Sequence, residues 1–110
     1  MAVDRALLSA KHYPAANTAA VVNLAASGRK HRVKRIMWSY SDAPPAGTAL
    51  TVEDGSGNVV RKIFITAPGP GVVSLDAVNS AVSTAMIITL PAGGADISGT
   101  LDVEYTDSVY

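Results

Sequence analysis

Ile97-Ser98-Gly99-Thr100-Leu101-Asp102-Val103-Glu104-Tyr105 decides the fold class. Ile97, Leu101, Val103 and Tyr105 fall on one parity, and Ser98, Thr100, Asp102 and Glu104 on the other. Successive side chains of a strand point to opposite faces, so this stretch is a strand with one face on a core and the other in water. Six more short apolar runs precede it: Thr18–Ala25, His31–Ser41, Thr48–Asp54, Val59–Thr66, Gly71–Asp76 and Thr84–Leu90. Ala20, Val22 and Leu24 share a parity, as do Ile36, Trp38 and Tyr40, Leu50 and Val52, Val73 and Leu75, and Met86, Ile88 and Leu90. Val59, Ile63 and Ile65 are assigned the core-facing parity of their run. Between Val33 and Ile36 the parity breaks, as an inserted bulge residue would make it.

The punctuation agrees with strands. Asp54-Gly55-Ser56-Gly57-Asn58 has the residues of a hairpin loop with positive φ. Ala43-Pro44-Pro45-Ala46-Gly47 and Pro68-Gly69-Pro70-Gly71 exclude both helix and central strand. Seven or eight strands within about 100 residues predict an all-β, antiparallel sandwich or barrel. Residues 1–17 lack this patterning, and Pro14 and Asn17 are turn formers, so the segment reads as an extended N-terminal arm or a first edge segment. Residues 18–110 are then the sandwich domain.

Composition narrows the function. The chain has 110 residues, enough for one domain, with 48% hydrophobic residues, no cysteine and zero net charge. A disordered tail, a disulfide-stapled module and a free-standing basic nucleic-acid binder are all disfavoured. Asp4 and Arg5 interrupt the start before a signal sequence's roughly 7–15 apolar residues accumulate, and no window approaches the roughly 18 of a membrane span. No membrane or nucleic-acid partner is expected, and folding in a cytoplasm is.

Charge is balanced in sum but not along the chain. All nine Lys and Arg lie at or before Lys62, and the last 48 residues hold five carboxylates and no cation, a net of +5 against −5. Arg29, Lys30, Arg32, Lys34 and Arg35 form the densest basic run. Either the two halves fold against each other and cancel, or the molecule has one positive and one negative face.

The chemistry inventory is thin. His12 and His31 are the only histidines, too few for a zinc site without carboxylates, which do not cluster near them in sequence. The loop at Asp54 has Val59 where a calcium loop needs glycine, and no closing Glu. There is no Gly-x-Ser-x-Gly elbow and no phosphate-binding loop. Asp102 and Glu104 share a strand face, which acid–base work would use but a solvated face also explains. The expectation is a protein that is not an enzyme and takes no metal or cofactor.

A resemblance adds to this. His31-Arg32-Val33-Lys34-Arg35-Ile36-Met37-Trp38-Ser39-Tyr40-Ser41 is followed by Leu50-Thr51-Val52-Glu53-Asp54-Gly55 and Ala67-Pro68-Gly69-Pro70-Gly71. Then come Thr84-Ala85-Met86-Ile87-Ile88-Thr89-Leu90-Pro91-Ala92-Gly93-Gly94-Ala95 and Gly99-Thr100-Leu101-Asp102-Val103. This order, over roughly residues 18–105, resembles small virion proteins of tailed bacteriophages, among them head decoration (cement) proteins. The resemblance implies a jelly-roll sandwich, often trimeric, on the outer surface of the head and in contact with the major capsid protein. A head-fibre or tail-associated module touching host carbohydrate is the alternative it leaves open. No active-site residues carry over.

The residues themselves suggest where contacts would fall. Thr84–Leu90 is largely apolar on its second face too, through Ala85, Ile87 and Thr89, so it is buried on both sides either in its own fold or in an oligomer; with the trimer that the resemblance implies, Ile87 becomes a candidate subunit contact. Leu7 and Leu8 in the arm, and Arg29, Lys30, Arg32, Lys34 and Arg35, are the candidates for capsid or subunit contact.

Overall fold

The computed structural model describes residues 8–25, 30–54, 57–79 and 85–108; of Lys30, Asp76–Asn79 and Ser108 only the backbone is described. Eight strands follow in order among these: β1 Leu8–His12, β2 Ala20–Leu24, β3 Lys30–Tyr40, β4 Ala49–Glu53, β5 Val59–Phe64, β6 Gly71–Asn79, β7 Met86–Leu90 and β8 Gly99–Ser108. They form two four-stranded antiparallel sheets, with orders β1-β8-β3-β6 and β2-β7-β4-β5. We call these sheets A and B. The pairs β4–β5, β3–β6, β2–β7 and β1–β8 are nested one outside another, so the chain is a long hairpin folded across itself. Two lateral pairings, β3–β8 and β4–β7, join the two arms of that hairpin.

The two inner faces make the core. Val33, Ile36, Leu101 and Val103 come from sheet A, and Leu50, Val52, Met86, Ile88 and Leu90 from sheet B; all are almost fully buried. Burial of such a side chain contributes roughly 1.5–3 kcal/mol. The alternation read from residues 97–105 is met by Leu101 and Val103 inside, with Tyr105 packed against the core. The parity break falls where expected: the register of β3 shifts between Val33 and Arg35 against both neighbours. The hairpin at Asp54 is likewise present. Asp54 accepts from the amide of Gly57 at 3.1 Å, and the amide of Asn58 donates to Asp54 Oδ1 at 3.1 Å.

One expectation needs correction, that for Val59. Leu8 to His12, within the segment read as an arm or a first edge segment, form an edge strand paired with β8 from Leu8↔Tyr105 to His12↔Leu101. Five residues with Leu8 and Ala10 on one parity are too short to register as a periodic pattern, but β8 supplies the ladder that completes them. Residues 1–7 lie outside the described residues. Val59, assigned to the core, is 51% exposed. A register shift between Val52 and Glu53 flips the start of β5, so Val60 packs against the core in its place.

Aromatic side chains fix one end of the sandwich. Trp38 lies so close over the backbone of Gly71 that a Cβ there would overlap Cε2 and Cζ2 of the indole. Only glycine fits. Tyr40 is buried, and its hydroxyl donates to the Pro91 carbonyl at 2.7 Å. Burial pushes the Tyr40 phenol up to about 12. A folded-state pKa above the unfolded one means that the neutral phenol's contribution is full below about pH 10 and is lost as pH rises toward 12. Tyr40→Phe should therefore lower stability at pH 7 by about 1 kcal/mol and flatten the fall in melting temperature between pH 10 and 12. A variant that melts along the same alkaline curve as the parent would contradict this.

Candidate functional site

The outer face of sheet A carries the most chemistry among the described residues. β8 runs between β1 and β3, and the pleat sends Asp102 and Glu104 outward while Leu101 and Val103 go in. Register then decides their neighbours. Asp102 stands between Lys11 of β1 and Met37 of β3, and Glu104 stands between Ser9 and Arg35. Leu8, Ser9, Lys11, Met37, Asp102 and Glu104, with Tyr13 beyond the end of β1, border an open concavity of about 410 Å³.

Both carboxylates are held. Tyr13 donates its hydroxyl to Asp102 Oδ1 at 2.6 Å, and Lys11 Nζ lies 5.7 Å from the centre of the Tyr13 ring, a cation–π distance. Arg35 donates through Nε at 2.7 Å to Glu104 Oε1, and its Nη2 donates to the same oxygen. The Tyr13 phenol titrates above its ordinary value, first because its proton is engaged by Asp102, then through partial desolvation and the nearby negative charge. Exposed pairs of this kind contribute little to stability. Their effect is positional: they set a phenol ring, an ammonium and two carboxylates around one hollow. Such a surface can accept hydrogen bonds from hydroxyl or amino groups and offer a ring face for apolar contact. The Asp102 and Glu104 pairing was visible in the sequence; Tyr13 and Met37 were not assigned to this face, because only the β1–β8 and β3–β8 registers bring them to it.

A second polar group is internal. His31 is 3% exposed and Asp107 7%. The His31 Nδ1 lies 2.7 Å from Asp107 Oδ1, and Nε2 lies 2.8 Å from the Ala25 carbonyl. Both ring nitrogens face oxygen acceptors, so neither is turned toward a serine that it might activate. The dyad ties the start of β3 to the end of β8 and to the end of β2. It was not legible from sequence, where the partners are 76 residues apart. Among the described residues no cluster of three or more metal-ligating side chains occurs.

The other sequence candidates are dispersed. Leu7 and Arg29 lie outside the described residues. Leu8 is half-buried in β1 opposite Tyr105. Lys30 opens β3 opposite Ser108; Arg32 and Lys34 are half-buried, and Arg35 is exposed. Lys30 to Arg35 thus lie in a strand alongside β8, which carries Asp102, Glu104 and Asp107. Ile87 is half-buried on the face of β7 away from Met86, Ile88 and Leu90, between Asn23 of β2 and Glu53 of β4.

No protein-family model matches this sequence, and no curated protein matches it at a significant level. The fold defines the class on its own terms: an all-β protein of two four-stranded antiparallel sheets in a sandwich-like arrangement.

Asp102→Asn should bring the Tyr13 phenol down toward its ordinary titration range while leaving the fold intact. Ultraviolet titration of phenolate, compared with a Tyr13→Phe control that isolates the Tyr13 signal, reads it. An unchanged titration in Asp102→Asn would mean that the bond to Asp102 does not hold the proton.

Proposed function

We propose that this protein is a structural virion protein of a tailed bacteriophage, a homotrimeric decoration or cement protein. In this reading it binds the major capsid protein on the outer surface of the head and stabilises the shell, after synthesis in the host cytoplasm. The observation that carries the proposal is the strand order. Nested pairs β1–β8, β2–β7, β3–β6 and β4–β5, split into sheets β1-β8-β3-β6 and β2-β7-β4-β5, support reading the sandwich as a jelly roll. That is the architecture implied by the resemblance of residues 18–105 to phage virion proteins. A small rigid sandwich repeated over a lattice can bind firmly through contacts that are individually weak, because many copies act together. Leu7, Leu8, Arg29, Lys30, Arg32, Lys34 and Arg35 remain the proposed attachment residues, and no metal or cofactor enters the reading.

A second reading has one observation in its favour. The Tyr13 ring, 55% exposed, stands beside Asp102 and the hollow of sheet A. A host-facing carbohydrate would use such a ring and carboxylate, as in a head-fibre or tail-associated module.

Two measurements separate these readings. The mass in solution should be three times that of the 11.3 kDa chain. Quantitative mass spectrometry of purified virions should find copies in the hundreds, distributed over the shell. A few copies confined to one vertex would overturn the decoration reading in favour of the fibre or tail reading.

A further inference from the structure

The outer faces of the two sheets differ in kind. On sheet A, Arg35 is paired with Glu104, and Tyr13 donates to Asp102 with Lys11 over its ring. On sheet B the outward positions are mostly apolar or threonine. Rows across the sheet run Val21–Thr89–Thr51–Lys62 and Asn23–Ile87–Glu53–Val59, with Phe64 of β5 opposite Ala49. Val21 is 40% exposed, Val59 51% and Phe64 63%, so three of the five large hydrophobic side chains exposed among the described residues lie on this face. Isolated exposed apolar residues are ordinary, but a concentration on one sheet face marks a contact surface.

The charges on this face differ from those on sheet A. Glu53 and Lys62 both point outward, on adjacent strands but in different rows, and they form no ion pair with each other. Lys62 Nζ instead lies 5.3 Å from the centre of the Phe64 ring. Among the described residues neither Glu53 nor Lys62 has an ion-pair partner, and both are set beside β-branched and aromatic side chains.

We infer that the outer face of sheet B is the subunit interface, and that its occupant is a second copy of this chain, with Glu53 of one copy meeting Lys62 of the next. The charge pattern argues for the copy. A face that carries a carboxylate on β4 and an ammonium on β5 offers two unlike patches, so the Glu53 patch of one copy can meet the Lys62 patch of the next, which a uniformly basic or acidic face does not allow. Packing β5 of one subunit, with Val59, Lys62 and Phe64, over β4 and β7 of the next, with Glu53 and Ile87, is a head-to-tail contact. Such contacts close into a ring when the rotation permits. Ile87 would then be covered by a neighbour without belonging to the monomer's own core. The inference rests on the homotrimer proposed above and supplies its surface.

The test is a charge exchange in the full chain, read by sedimentation or native mass spectrometry, with circular dichroism and melting curves to verify folding. Glu53→Lys and Lys62→Glu should each weaken trimer assembly at least tenfold. The double variant Glu53→Lys with Lys62→Glu should restore it, because the exchanged charges meet again across the interface. Ile87→Asp should give a folded monomer, and Phe64→Ser a weakened trimer that needs no change of charge. If the wild-type chain is trimeric and all four single variants stay as trimeric as the parent, this surface is not the interface, although the oligomer stands. Weakened single variants with no recovery in the double would overturn the Glu53–Lys62 contact. A wild-type chain that is monomeric at every concentration would overturn the trimer itself.

Discussion

The pairing of β3 with β8 is the contact on which the rest of the structure depends. It is the longest ladder in the molecule, running from Lys30↔Ser108 to Tyr40↔Gly99. It joins residues near the end of the chain to residues in its first half, so local structure cannot form it. Once β8 lies along β3, its other edge becomes the template for β1, and the remaining pairs follow as an ordered nest. Non-local pairings of this kind require loop closure before the contacts compensate for it, which makes the ladder the slow and cooperative element of the fold.

The same ladder settles the electrostatics. The sequence places all nine cations at or before Lys62 and five of nine carboxylates after it, and β3 and β8 bring four of those cations alongside three of those carboxylates. Arg35 faces Glu104, His31 meets Asp107 in the interior, and Lys11 on β1 faces Asp102 from the other side. The segregation along the chain therefore encodes strand partners within sheet A. Sheet B, whose strands carry few charges, is left with an outer face of valine, isoleucine, threonine and phenylalanine.

Much of the architecture was legible because it is local. Period-two alternation located seven of the eight strands, the parity break between Val33 and Ile36 located the bulge, and Asp54 to Asn58 located a hairpin. The burial of Tyr40 followed from sharing a parity with Ile36. What was not legible depends on partners far away in sequence. β1 is a strand because β8 provides its ladder. Val59 leaves the core because the bulge opposite Val52 brings Val60 in. The His31–Asp107 dyad and the placing of Tyr13 beside Asp102 follow from registers that no window of sequence contains. The candidate site was half visible: the spacing of Asp102 and Glu104 put both on one face, but the guanidinium and the ammonium around them come from other strands and the ring from the segment after β1.

Amide hydrogen exchange under native conditions tests the central place of the β3–β8 ladder most directly. Backbone amides of Ile36, Trp38, Leu101 and Val103 should be the slowest in the protein and should share one opening free energy equal to that of global unfolding. Amides of the β4–β5 hairpin should open earlier and independently. If instead β8 exchanges through a local opening while the β4–β5 hairpin stays protected, the ladder is a late addition to the fold and the account fails.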